Sequence, residues 1–155
     1  MKTNILKLAA VLLMVAGIAA CGEKENTEPF LDNVTYSLCN NVQQNSLVAL
    51  QDGILQNGIK YTTLNNQTLQ IEQWLVINCC CERISVEMLS NENDIVIDVC
   101  DYGNQCNCPC QGNVSYNVSG LQKGTTYSFT FKRNDDVRYT TSITFTDGLN
   151  QTINF

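Results

Sequence analysis

The chain has 155 residues, with 15 acidic and 9 basic side chains and no histidine, giving a formal net charge of −6. The missing histidine excludes Ser-His-Asp and Cys-His nucleophile activation, imidazole metal ligation and histidine pH switching. Basic residues are scattered, with only Lys132 and Arg133 adjacent, which excludes a phosphate-binding nucleic-acid surface; GxGxxG, Walker-type and HExxH motifs are also missing.

The N-terminus reads "MKTNILKLAAVLLMVAGIAACGEKEN", in which Lys2 and Lys7 precede an uncharged apolar run from Leu8 to Ala20. This is the layout of a signal peptide, and the run is shorter than the ~20 residues that span a bilayer as a helix. Ile18-Ala19-Ala20-Cys21 resembles the lipobox of bacterial lipoproteins. The resemblance implies cleavage before Cys21, diacylglycerol on its sulfur, and acylation of the new amine. Such chains hold a protein to a membrane at about 0.8 kcal/mol per buried CH2, without a spanning helix. The alternative is an ordinary secretory signal cut near Ala19 and Ala20. The next residues are polar, carry Glu23, Glu25 and Glu28, and read as a flexible tether. The expected organisation is therefore a cleaved signal peptide over 1–20, a lipidated tether over 21–31 and one domain over 32–155. Loss of Lys2 and Lys7 leaves 135 residues at a net charge of −8, enough for one domain with a real core.

From Asp32 onward apolar and polar residues alternate at period two, which predicts half-buried strands. The predicted inward sets are Val34, Tyr36 and Leu38; Ile84, Val86 and Met88; Ile95, Ile97 and Val99; and Val114, Tyr116 and Val118. Tyr127, Phe129 and Phe131, then Tyr139, Ile143 and Phe145, form the clearest pair, with a hairpin turn at Asn134-Asp135-Asp136. The segment from Asn66 to Ile77 is long enough for a helix, but its β-branched residues favour a strand. Turn signals recur at Asp52-Gly53, Asn57-Gly58, Asn91 to Asp94, Gly103-Asn104, Gly120 to Gly124 and Asp147-Gly148. Short, evenly punctuated elements predict an all-β sandwich or barrel.

Residues 116–133, "YNVSGLQKGTTYSFTFKR", resemble the E-to-F strand corner of fibronectin type III and other immunoglobulin-like domains. The resemblance assigns Leu121, Gly124 and Tyr127 to the corner, where the Tyr hydroxyl bonds back to upstream backbone. Two departures stand out: Lys123 where proline is frequent, and a further strand in "LNQTINF". The whole chain is similar to small lipoproteins that Gram-negative bacteria display on the cell surface.

Eight cysteines remain besides Cys21: Cys39, Cys79, Cys80, Cys81, Cys100, Cys106, Cys108 and Cys110. An even count in an exported domain reads first as disulfides, with 105 possible pairings. Adjacent cysteines bond each other only in a strained ring, because Cα atoms about 3.8 Å apart fall below the usual disulfide range. If residues 79–81 lie in a strand, Cys79 and Cys81 share one face and Cys80 takes the other. The triple run is thus expected to bond the loop of Cys106, Cys108 and Cys110. The competing readings are a thiolate metal site drawn from Cys79, Cys81, Cys106, Cys108 and Cys110, and a redox-active pair. Asp94, Asp98 and Asp101 with Asn91, Glu92 and Asn93 offer calcium-type oxygens but no EF-hand register. Trp74, the single tryptophan, reads either as a core residue or as a stacking platform for a sugar.

The expected protein is an immunoglobulin-like β-sandwich stapled by disulfides, tethered to the cell envelope through lipidated Cys21. It is expected to be a non-enzymatic binding or structural module without cofactor. Its partners would be the membrane, through its lipid, and an envelope protein or glycan, not nucleic acid. The outer membrane is the expected site, on either face. The alternative is a metal-binding or thiol-redox lipoprotein using the two cysteine clusters.

Overall fold

The computed structural model describes residues 28–39 and 55–155. The signal peptide, the lipobox with Cys21, residues 21–27 of the tether and the turn at Asp52-Gly53 lie outside the described residues. Among the described residues no helix is long and apolar enough to cross a membrane.

The described residues form nine strands: β1 (Phe30–Ser37), β2 (Gly58–Asn65), β3 (Thr68–Asn78), β4 (Cys81–Asn91), β5 (Asp94–Gly103), β6 (Pro109–Ser119), β7 (Thr126–Arg133), β8 (Asp136–Thr144) and β9 (Asn150–Asn154). They build a two-sheet sandwich, with sheet orders β1-β6-β3-β2-β9 and β4-β5-β7-β8. The pairings are antiparallel except for β5 with β7, which run parallel. That parallel pair is foreign to the all-antiparallel sheets of immunoglobulin domains. The first strand starts at Phe30, two residues ahead of Asp32.

Alternation decides which side chains meet between the sheets. Leu69, Ile71, Leu75 and Ile77 of β3 and Val114, Tyr116 and Val118 of β6 face Ile95, Ile97 and Val99 of β5 and Phe129 and Phe131 of β7 in one buried cluster. Ile84, Ile143 and Phe145 join it, while Val86, Met88 and Tyr139 pack at its margin. The segment 68–78 is a strand along its whole length, paired residue by residue with β6. Two buried polar contacts cross β3 and β6: the Gln73 side-chain amide donates to the Tyr116 hydroxyl, and the Thr68 and Ser119 hydroxyls meet at 3.1 Å.

The first strand departs from its expected faces. Val34 and Tyr36 are 40% and 44% exposed. The cause is local: β1 is an edge strand, its register shifts between Asp32 and Thr35, and Asn33 there takes φ 52°. A bulge at such a place breaks the two-residue period and turns the following side chains. Leu38, beyond the bulge, packs against the core.

Tight connections follow the turn chemistry. Asn134 and Asp135 both take positive φ, 50° and 69°, as a two-residue primed hairpin between β7 and β8 requires. Between β6 and β7 the chain changes sheets through a corner. Leu121 is buried, Gly124 has φ 81°, and the Tyr127 hydroxyl accepts the Gln122 backbone N–H at 2.8 Å.

Candidate functional site

Two regions carry chemistry beyond packing: the cysteine-bearing end of the sandwich and the outer face of the five-stranded sheet.

At the cysteine end, β3 stops at Asn78 and β4 starts at Cys81, so Cys79-Cys80 is the two-residue link that passes from one sheet to the other. The run 79–81 is therefore not one continuous strand, and the face alternation considered for it does not apply. A turn frees both Cys79 and Cys80 to reach the loop after β5, whereas Cys81, the first residue of β4, is buried in the core cluster. The loop is held by main-chain bonds: Cys79 N–H donates to Cys108 O at 2.7 Å and Cys108 N–H to Cys106 O at 2.9 Å. Asn78 bridges both segments, its side-chain oxygen accepting the Cys80 N–H at 2.9 Å and its amide donating to Cys106 O. Gly103 lets the chain pass here, since it adopts φ 149° and a Cβ on it would lie 2.3 Å from Cys80 O.

Six of the eight cysteines are paired: Cys79 with Cys108, Cys80 with Cys106, and Cys39 with Cys110, at Cα separations of 5.4, 6.0 and 5.7 Å. The third bond ties the segment after β1 to β6. Cys81 and Cys100 are free thiols. Both sit on the β4–β5 hairpin, but Cys81 is opposite Gly103 and Cys100 is opposite Ser85, so the register holds them apart. Burial raises the Cys81 pKa above its usual value, although the thiol bonds to Arg83 O. Burial, then the nearby Asp98 and Glu87 carboxylates, raise that of Cys100. Neither is an activated thiolate.

The sulfurs of Cys79, Cys80 and Cys106 lie within 4.8 Å of one another. The sulfur of Cys108 is bonded to that of Cys79. Of the residues singled out from spacing, Cys79 and Cys106 lie in this cluster together with Cys80, whereas Cys81 is buried in the core cluster and Cys110 is paired with Cys39. Asp101, one of the suggested calcium oxygens, instead pairs with Arg133, whose Nη1 also donates to Val76 O and so ties β7 to β3. Asp98 accepts the Asp135 N–H.

On the outer face, β1, β6, β3, β2 and β9 present rows of side chains that the ladder brings side by side. One row runs Ser37, Asn113, Trp74, Gly58, Asn154; the next runs Thr35, Ser115, Glu72, Lys60, Thr152. Trp74 is buried but stands on this face and not in the inter-sheet cluster. Its indole covers Gly58, where a Cβ would come within 2.3 Å of the ring. Trp74, Thr35, Lys60, Glu72, Asn113 and Ser115 line a groove of about 340 Å³. Lys60 and Glu72 pair loosely at 3.9 Å. In the row beyond Trp74, Gln111 lies opposite Val76 and is buried, its side-chain amide without a hydrogen-bond partner among the described residues. From sequence the outward orientation of Trp74 was hidden, because Leu75 and Val76 beside it make the segment look apolar on both faces.

Compared with known proteins, the chain matches no family model, no curated protein and no solved structure.

Proposed function

We propose that this chain is a lipid-anchored, non-enzymatic module of the cell envelope that binds an uncharged polar partner, a glycan, on the outer face of its five-stranded sheet. The observation that carries the reading is the groove beside Trp74, rimmed by Thr35, Lys60, Glu72, Asn113 and Ser115. Sugar rings offer hydroxyl edges that the amide, hydroxyl and single charged groups of the rim suit, while the accessible margin of the Trp74 indole gives a small apolar contact for a C–H face. The lipobox-like Ile18-Ala19-Ala20-Cys21 supports anchoring, and a disulfide-stapled sandwich suits an oxidising compartment.

Because Trp74 is the single tryptophan, its fluorescence reports the groove directly. Titrating the purified protein with envelope polysaccharide fragments is expected to give a saturable emission change, abolished in Lys60→Ala/Asn113→Ala. No response to any glycan, with a protein bound through the same face instead, would overturn the glycan reading. The anchor is tested separately by fractionating cells: Cys21→Ser should move the protein from membrane to soluble fractions, and its retention in the membrane fraction would refute lipid attachment.

A further inference from the structure

We infer that Cys79, Cys80, Cys106 and Cys108 are a second, redox-gated site: two disulfides when oxidised, and a four-thiolate site for a soft closed-shell ion such as zinc(II) when reduced.

Geometry gathers three of the sulfurs, and the fourth, that of Cys108, is bonded to one of them. Cys79 and Cys106 belong to different disulfides, yet their sulfurs approach to 3.4 Å. The sulfurs of Cys79, Cys80 and Cys106 all fall within 4.8 Å of one another. A tetrahedral ion with bonds of about 2.3 Å needs sulfurs about 3.8 Å apart, a span that Cys79, Cys80 and Cys106 already approach and that Cys108, next to Cys79, can join. Once the two S–S bonds are broken, rotation about Cα–Cβ lets each bonded pair part to that spacing. With no histidine in the chain, an all-sulfur shell is the set available, and thiolates favour soft ions.

The cluster is also held without its disulfides. The β3–β6 ladder runs to Asn78 opposite Pro109. Beyond it Cys79 N–H bonds Cys108 O, and Asn78 ties Cys80 to Cys106. Under the link, the Arg133 guanidinium grips Asp101 and Val76 O. Reduction therefore removes covalent bonds while leaving the two segments in contact. Cys106 is partly buried and Cys108 is exposed, which gives a reductant and an ion access.

The chemistry balances with a dithiol as the named reductant. Each protein disulfide takes two electrons and two protons, and each dithiol is oxidised to its own disulfide. Binding one divalent ion then expels four thiol protons, so uptake weakens as pH falls.

The test uses the full chain, reduced with a phosphine, desalted without oxygen and titrated with cadmium(II), whose thiolate charge-transfer band reports sulfur ligation. One ion per chain is expected after reduction and none before it, with zinc(II) displacing the band's intensity in competition. Cys81→Ser/Cys100→Ser should bind as the parent does; Cys80→Ser/Cys106→Ser should not. Because the latter variant can misfold, alkylation of the unmutated reduced protein gives a second readout. The ion should slow alkylation of Cys79, Cys80, Cys106 and Cys108 and leave the rates of Cys39 and Cys110 unchanged. Sub-stoichiometric binding, protection confined to other cysteines, or loss of the β circular dichroism on reduction alone would each overturn the inference.

Discussion

The phenolic oxygen of Tyr127 lies 2.8 Å from the backbone nitrogen of Gln122 and accepts its N–H. The two residues bracket the corner by which the chain leaves β6 in one sheet and enters β7 in the other. Tyr127 is almost fully buried, so its ring fills the core while its hydroxyl satisfies a turn donor. Tyr127→Phe keeps the ring and removes the hydroxyl that accepts the Gln122 N–H. The expected cost is about 1 to 2 kcal/mol in urea denaturation, with an unchanged slope and unchanged far-ultraviolet spectrum. A cost within error would mean the corner is held by Leu121 and Gly124 alone.

This corner was legible in the sequence because each part of it demands a particular residue: a leucine to bury, a glycine at positive φ, a tyrosine with reach. The strands β4 to β8 were legible for a similar reason, since one wet and one dry face force strict alternation. What escaped was context. Gly58 reads as a turn residue, yet it lies within β2, where its missing Cβ makes room for the Trp74 indole. The faces of Val34 and Tyr36 depend on a bulge that no period reveals. The cysteines show both limits together: chain stiffness argues that the triple run bonds elsewhere, but only the sheet-to-sheet link explains why Cys80 joins the cluster and Cys81 does not.

The cysteine arrangement predicts a specific peptide map. A non-reducing digest should yield Cys79–Cys108, Cys80–Cys106 and Cys39–Cys110 links. Cys81 and Cys100 should be alkylated only slowly at neutral pH in the folded protein, because burial raises both thiol pKa values, and rapidly after denaturation. A Cys81–Cys100 link would contradict the β4–β5 register.

Gly58→Ala tests the outer face without touching the core. The added Cβ would fall 2.3 Å from two carbons of the Trp74 ring, so the indole must move off β2. The expected result is a red-shifted tryptophan emission and a loss of about 1 to 3 kcal/mol, the usual cost of overpacking. An unshifted emission would show that the ring does not rest on Gly58.

Asp101 and Arg133 set the acid limit of the cysteine end. Their side chains are 14% and 18% exposed and joined at 3.0 and 3.1 Å. Burial by itself would raise the Asp101 pKa, but hydrogen bonds from Arg133 and Asn134 outweigh it and lower the value. A carboxyl whose folded pKa is depressed contributes stability that is complete above its unfolded pKa, about 3.9, and disappears as pH falls through the folded value. The melting temperature should therefore hold from neutral pH down to about pH 4 and fall below it. Asp101→Asn should cost about 3 kcal/mol at pH 7, because it leaves the Arg133 charge largely buried without its counter-ion. As pH drops and the parent's own carboxyl takes up a proton, the gap between the two proteins should narrow. A gap that stays constant across the acid range would assign the loss to packing around Arg133 and its bond to Val76 O, and not to the ion pair.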